Sequence, residues 1–267
     1  MALRPWMLMV LASSVLAAGG CARWRSAPAL PARNNVVLEQ LVLYSDSPLP
    51  EHHRLLDELR AQRTQLSTKL ALPVSNEPIH VYLFPSAERL DAFMRVKFPD
   101  VPQRRAFFVE SDARLSVYAY WGDRVAEDLR HEVAHGYLHS VVPRLPLWLD
   151  EGLAEYFEVA PGLEGVNRPH VEQLTVAIND HWRPDLARLE RMQSAGEMTQ
   201  QDYAESWAWV HFMLESSPER RKILQGYLQA LVQSRSPEPL STQLRRFPGI
   251  LEQSLGDYVR TVNQGLR

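Results

Sequence analysis

The sequence predicts an α+β fold, with a small mixed or antiparallel sheet and helices followed by a mostly helical C-terminal part. Three observations predict it. Alternating apolar stretches of strand length occur only in the first half, up to Trp121. Beyond Glu158 the apolar spacing is helical to the end. Hydrophobic residues make up 45% of the 267 and charged residues 23%, as in a globular chain and unlike a disordered one. The formal charge of −3 carries no basic excess, so nucleic acid is not an expected partner. The length suits one large domain or two small ones.

Residues 1–20 read as a secretory signal peptide: Arg4, then an uncharged run over 6–18, then small residues. The run is too short for a membrane span. Cys21 is the only cysteine, so no intrachain disulfide forms. Ala18-Gly19-Gly20-Cys21 resembles a bacterial lipobox, which implies that Cys21 bears lipid and anchors the chain to a membrane of the cell envelope. Ala22 after the cysteine, rather than Asp, favours the outer over the inner membrane by that resemblance, with the protein facing the periplasm or the cell surface. Residues 21–35, with Pro28 and Pro31, read as a flexible tether.

A mixed α/β part is expected over 36–160. Residues 36–44 are β-like, with Val37, Val42 and Tyr44 apolar. Residues 50–72 read as a helix with Leu55, Leu56, Leu59, Leu66 and Leu70 as its stripe, ended by Pro73. A strand over 79–84 precedes a helix over 87–98 with Ser86 at its start and Leu90, Phe93 and Met94 inward. Residues 105–110 and 114–121 form a hairpin around Ser111-Asp112-Ala113. Over 161–267 a helical part is expected, with helices at 168–179, 184–192, 200–216, 218–232 and 249–263. The junction of the two parts is where a cleft belongs.

The chemistry concentrates in Arg130-His131-Glu132-Val133-Ala134-His135-Gly136 and Trp148-Leu149-Asp150-Glu151-Gly152. Four helical residues advance about 400° and about 6 Å, so His131 and His135 share a face one turn apart and can bind one metal ion. Glu132 is turned roughly 100° away, placed to take a proton from a water that the metal holds. A hydrolytic zinc site needs three protein ligands, an open position and a base. Pro143 and Pro146 reverse the chain into a second helical pattern over 149–158, where Glu151 is the best third ligand. Glu155, four residues on, is expected to hydrogen-bond the second ring nitrogen of one ligand histidine.

His-Glu-x-x-His followed by Trp-Leu-x-Glu-Gly-x-Ala-Glu resembles the gluzincin zinc metallopeptidases, over roughly residues 129–158 and more loosely 203–214. The resemblance implies a zincin-like fold and one zinc ion on His131, His135 and Glu151, with Glu132 activating water to cleave a peptide or protein substrate. It also implies that the strand before the metal helix is an exposed edge that pairs with an extended peptide. A Tyr or His from the C-terminal part stabilises the oxyanion in those families. Tyr203 and His211, within about 80° on one helix, are both candidates here. Trp207 and Trp209 between them read as core. His139 continues the series but lies about 12 Å from His131, too far for the same ion. Asp128 and Arg130 read as a solvated edge. The rival function is a non-catalytic, metal-binding envelope lipoprotein that serves as a binding module.

Overall fold

A computed structural model describes residues 29–49, 53–248 and 251–266. The expected signal peptide and Cys21 lie outside these residues. The fold is α+β, with a five-stranded mixed sheet and a mostly helical C-terminal part.

The chain enters through β1 (Asn34–Leu38) and β2 (Leu41–Ser45), an antiparallel pair. The single β-like stretch expected over 36–44 is thus two strands. Glu39 takes a positive φ of 54° between them, and Gln40 is buried with its carbonyl accepting from Ile79. The tether expected to reach residue 35 ends earlier. Ala32 already donates to Asp46, and Asn34 and Asn35 lie in the sheet.

Helix α1 (Arg54–Leu70) buries the leucine stripe, and β3 (Ile79–Phe84) follows. Next come α2 (Ala87–Lys97), β4 (Ala106–Ser111) and β5 (Arg114–Tyr120). The sheet order is β1-β2-β3-β5-β4, with β2, β3 and β5 parallel and β1 and β4 antiparallel at the two rims. The strand that directly precedes the helix bearing His131 and His135, β5, is therefore interior, and β4 is the edge. Alternation sorts the side chains to two faces. Val81, Leu83, Leu115 and Val117 join the large core, whereas Tyr82, Phe84 and Tyr118 join an aromatic cluster under α2.

Helices α3 (Val125–His139) and α4 (Leu147–Phe157) follow the sheet. Then come α5 (Arg168–Asn179), α6 (Leu186–Leu189), α7 (Gln200–Glu215), α8 (Pro218–Val232), α9 (Leu240–Leu244) and α10 (Leu251–Gly265). The helices expected from the sequence cover all of these but α9, a five-residue helix that follows Pro239. Trp207 and Trp209 are core, as expected. Gln62 on α1 donates to the Arg130 and Phe157 carbonyls, which ties α3 and α4 to a common support. Among the described residues, no helix is long and apolar enough to cross a membrane.

Candidate metal centre

Two glycines set the position of the centre. At Gly136 a Cβ would lie 2.9 Å from Ile79, so its absence lets α3 settle on β3. At Gly152 a Cβ would lie 2.5 Å from the Ser206 carbonyl oxygen, so α4 and α7 touch backbone to backbone. Glu151 stands at this crossing. Between α3 and α4 the chain turns through Arg144, at φ 60°, and Pro146.

The geometry brings His131, His135 and Glu151 together. The two Nε2 atoms are 3.2 Å apart, and Glu151 Oε2 lies 3.6 Å from one and 3.8 Å from the other. Ligands bound to one ion at about 2.0–2.1 Å in tetrahedral array stand about 3.3–3.4 Å apart. The triangle matches that spacing with small adjustments.

Each histidine is oriented from its other nitrogen. His131 Nδ1–H donates to Glu158 Oε2 at 2.9 Å, and His135 Nδ1–H donates to Asp150 Oδ1 at 2.7 Å, in the tautomers that these carboxylates select. Both Nε2 atoms then face the Glu151 carboxylate, and the three groups converge on one point that a metal ion or a shared proton satisfies. Two other groupings have ligand atoms within 4.8 Å, His135/His139/Asp150 and His131/Glu155/Glu158. Their atoms are already joined to one another or to neighbours by hydrogen bonds. The residues of the first grouping fit a divalent metal.

Burial pushes the His131 imidazole down, but Glu151 and Glu158 outweigh it and hold it well above the usual range. Burial opposes protonation of His135 too, and Asp150 and Glu151 overcome it. The same carboxylates favour any positive charge at this point, a metal ion included. Burial raises the Glu132 carboxyl, against the pull of His131, His135 and Arg104. Burial and the Glu155 charge drive Glu158 up to about 7, although His131 draws it down.

The centre opens into a cleft of about 380 Å³ lined by Arg104, His131, Glu151, Glu155, Ala195, Met198, Gln200 and Tyr203. Tyr203 projects from the first turn of α7. A capping box fixes that turn: Asp202 N donates to the Thr199 hydroxyl, and Thr199 N donates to Asp202. Burial and the Glu151 charge raise the Tyr203 phenol, which keeps it a neutral donor.

Three expectations need correction. Glu155 does not orient a ligand histidine. It lies on the Glu151 face, but His170 Nε2 (2.8 Å) and Asn167 hold its carboxylate, and Glu158 and Asp150 take the orienting role. An acidic stripe at i, i+4 and i+7 (Glu151, Glu155, Glu158) carried the signal for Glu158. His211 does not reach the cleft. Glu151 lies near Tyr203 and Tyr156 lies 5.7 Å from His211, so α4 and α7 run alongside in the same direction and His211 falls far past the centre. There it is 3% exposed, with Nδ1 2.9 Å from the Tyr258 hydroxyl. Arg130 is buried rather than solvated: it pairs with Glu58 at 2.8 Å, because α1 covers that face of α3. Asp128, by contrast, binds Arg105 at the surface. His139 stands outside the triangle, with Nε2 2.8 Å from Asp150 and Nδ1 2.7 Å from Glu110. Arg104 was not foreseen, since it sits in an irregular segment with no periodic signal.

A family model described as a protein of unknown function (DUF1570) matches residues 125–237. The match begins with the first residue of α3 and takes in α3, α4 and Tyr203. No curated protein matches the chain.

Proposed function

We propose that the protein is a zinc-dependent metallopeptidase of the gluzincin type, held at the cell envelope by lipid on Cys21. The observation that carries this reading is the triangle of His131, His135 and Glu151, with Glu132 on the same helix, opening into a cleft. A buried structural metal has no need of an open side, whereas hydrolysis requires one.

Zinc held by His131 Nε2, His135 Nε2 and the Glu151 carboxylate would supply Lewis acidity and bring the pKa of water near neutrality. The chain's own groups do the rest. Glu132, raised by burial, accepts a proton from the attacking water at a carboxylate oxygen. It then delivers that proton to the amine nitrogen as the C–N bond breaks. The Tyr203 hydroxyl donates to the carbonyl oxygen that gains negative charge. Glu158 and Asp150 keep the two imidazoles aimed.

Glu132→Gln is expected to retain one zinc per chain and to lose about 10²- to 10⁴-fold in kcat/KM on a peptide substrate. Metal analysis and a peptide-digestion assay read both quantities. A variant that cleaves as fast as wild type would remove Glu132 from its role.

A further inference from the structure

Arg104 and Arg105 are neighbours with opposite situations. The Arg105 guanidinium donates to both carboxylate oxygens of Asp128 at 2.8 to 3.1 Å. Arg104, largely exposed, lines the cleft facing His131 and Glu151, where it is the only Lys or Arg among the lining residues. It makes no hydrogen bond or ion pair with any described residue. Its positive field reaches Glu132 and Tyr203, so it stands within range of the groups assigned to proton transfer and oxyanion stabilisation. Arg105 is held by a neighbour, whereas Arg104 is not held by any described residue. An unpaired guanidinium in a cleft presents a planar fork of donors suited to a carboxylate from outside.

The rim beside it gives that carboxylate a direction. β4 is a sheet edge, and Phe108 at its middle packs on His135 and His139, with ring centroids 6.0 and 5.1 Å away. Among the described residues no further strand pairs with that edge, and it passes His135. Arg104, two residues before the first residue of β4, is the charge at that end not held by a neighbour among the described residues. A peptide added antiparallel has its C-terminal side at Arg104, and one added parallel brings its ammonium end there. The Arg104 charge favours a carboxylate at that end and so the antiparallel arrangement, which is also slightly the stronger pairing.

We propose that Arg104 binds a substrate carboxylate on the leaving-group side of the scissile bond, so that the site acts on peptides close to a free C-terminus. The proposal rests on the hydrolase reading above. A C-terminal carboxylate and an acidic side chain share the required chemistry, and the substrate set separates them.

The test uses the full-length, zinc-loaded protein and three sets of otherwise matched peptides: free C-terminal acids, C-terminal amides, and amides with an Asp or Glu near the C-terminal end. Wild type is expected to cleave acids with kcat/KM at least tenfold above plain amides. In Arg104→Gln this acid-over-amide ratio should fall to about twofold or less, chiefly through KM, and Arg104→Lys should restore part of it. Titration calorimetry on zinc-loaded Glu132→Gln should show the same preference in binding, and its loss in Glu132→Gln/Arg104→Gln. Equal rescue by the acidic side-chain amides would make the recognised group any carboxylate and overturn C-terminal selection. Equal cleavage of acids and amides by wild type, or a preference that survives in Arg104→Gln, overturns the role of Arg104 and leaves the hydrolase reading standing. Failure of zinc-loaded wild type to cleave any peptide overturns both.

Discussion

The two walls of the cleft are built on different principles. On the α3–α4 wall the polar side chains are committed to one another: His131 to Glu158, His135 to Asp150, Glu155 to His170. On the facing wall, Arg104 and the Tyr203 hydroxyl have no hydrogen-bond partner among the described residues. Fixed partners hold a ligand set in place against its own repulsion, whereas spare donors are free to bind what enters. Under the proposed function, holding of the metal falls to one wall and recognition of the substrate to the other.

Removing a spare donor should affect turnover without touching the metal. Tyr203→Phe is expected to lower kcat by about 10²-fold, as for loss of one oxyanion donor, with zinc affinity unchanged. If zinc affinity falls instead, the walls are not independent. His211, on the same helix but closed into the core, tests the opposite behaviour. Burial pushes it down to about 4. Its native form thus stays neutral where the unfolded chain takes up a proton, so the unfolded state binds more protons and stability rises with pH. The contribution is complete above about 6.5 and is lost as pH falls towards about 4, a span worth about 3 kcal/mol at 1.36 kcal/mol per pH unit. Denaturant unfolding of metal-free protein at pH 7 and pH 4.5 should show a smaller drop in His211→Phe than in wild type.

Smaller effects are expected from the committed wall. Asp150→Asn should weaken zinc binding by about 10- to 100-fold, because His135 loses its anionic partner while the three ligands remain. Competition with a chromophoric chelator measures it, and unchanged affinity would show that the hydrogen bond does not aim the ring. At the helix crossing, Gly152→Ala forces a methyl group against the Ser206 carbonyl, and about 1–3 kcal/mol of stability should be lost. Thermal unfolding reads that loss, and no change would mean that α4 and α7 are less tightly fixed than their contact implies.

The committed wall was largely legible in the sequence, because its geometry is local. His131 and His135 follow from helical pitch, and Glu151 from a short proline-limited reversal. Strand and helix positions followed from periodicity for the same reason. The partners of the ligands were harder. Glu155 and Glu158 lie on one face of α4, and the choice between them is made by Asn167 and His170, which another element brings in. Tyr203 and His211 were equivalent by angle alone, and only the direction in which α4 runs along α7 separates them. Arg104 left no trace, since its role depends on which segment lies across the cleft. Arg130 misled because a charged residue beside a polar motif is usually solvated, and the cover that α1 provides is tertiary.

The bare backbone contact at Gly152 has a mechanical consequence. Because Gly152 brings α4 onto the Ser206 carbonyl, the separation of α4 from α7 at this point is set by backbone. A bulky substrate therefore gains no room by prying these helices apart. Under the proposed function, the segments that bear Arg104, Ala195 and Met198 are the parts of the lining away from this crossing, and changes there would alter which peptides enter while the grip on the ion stays as it was.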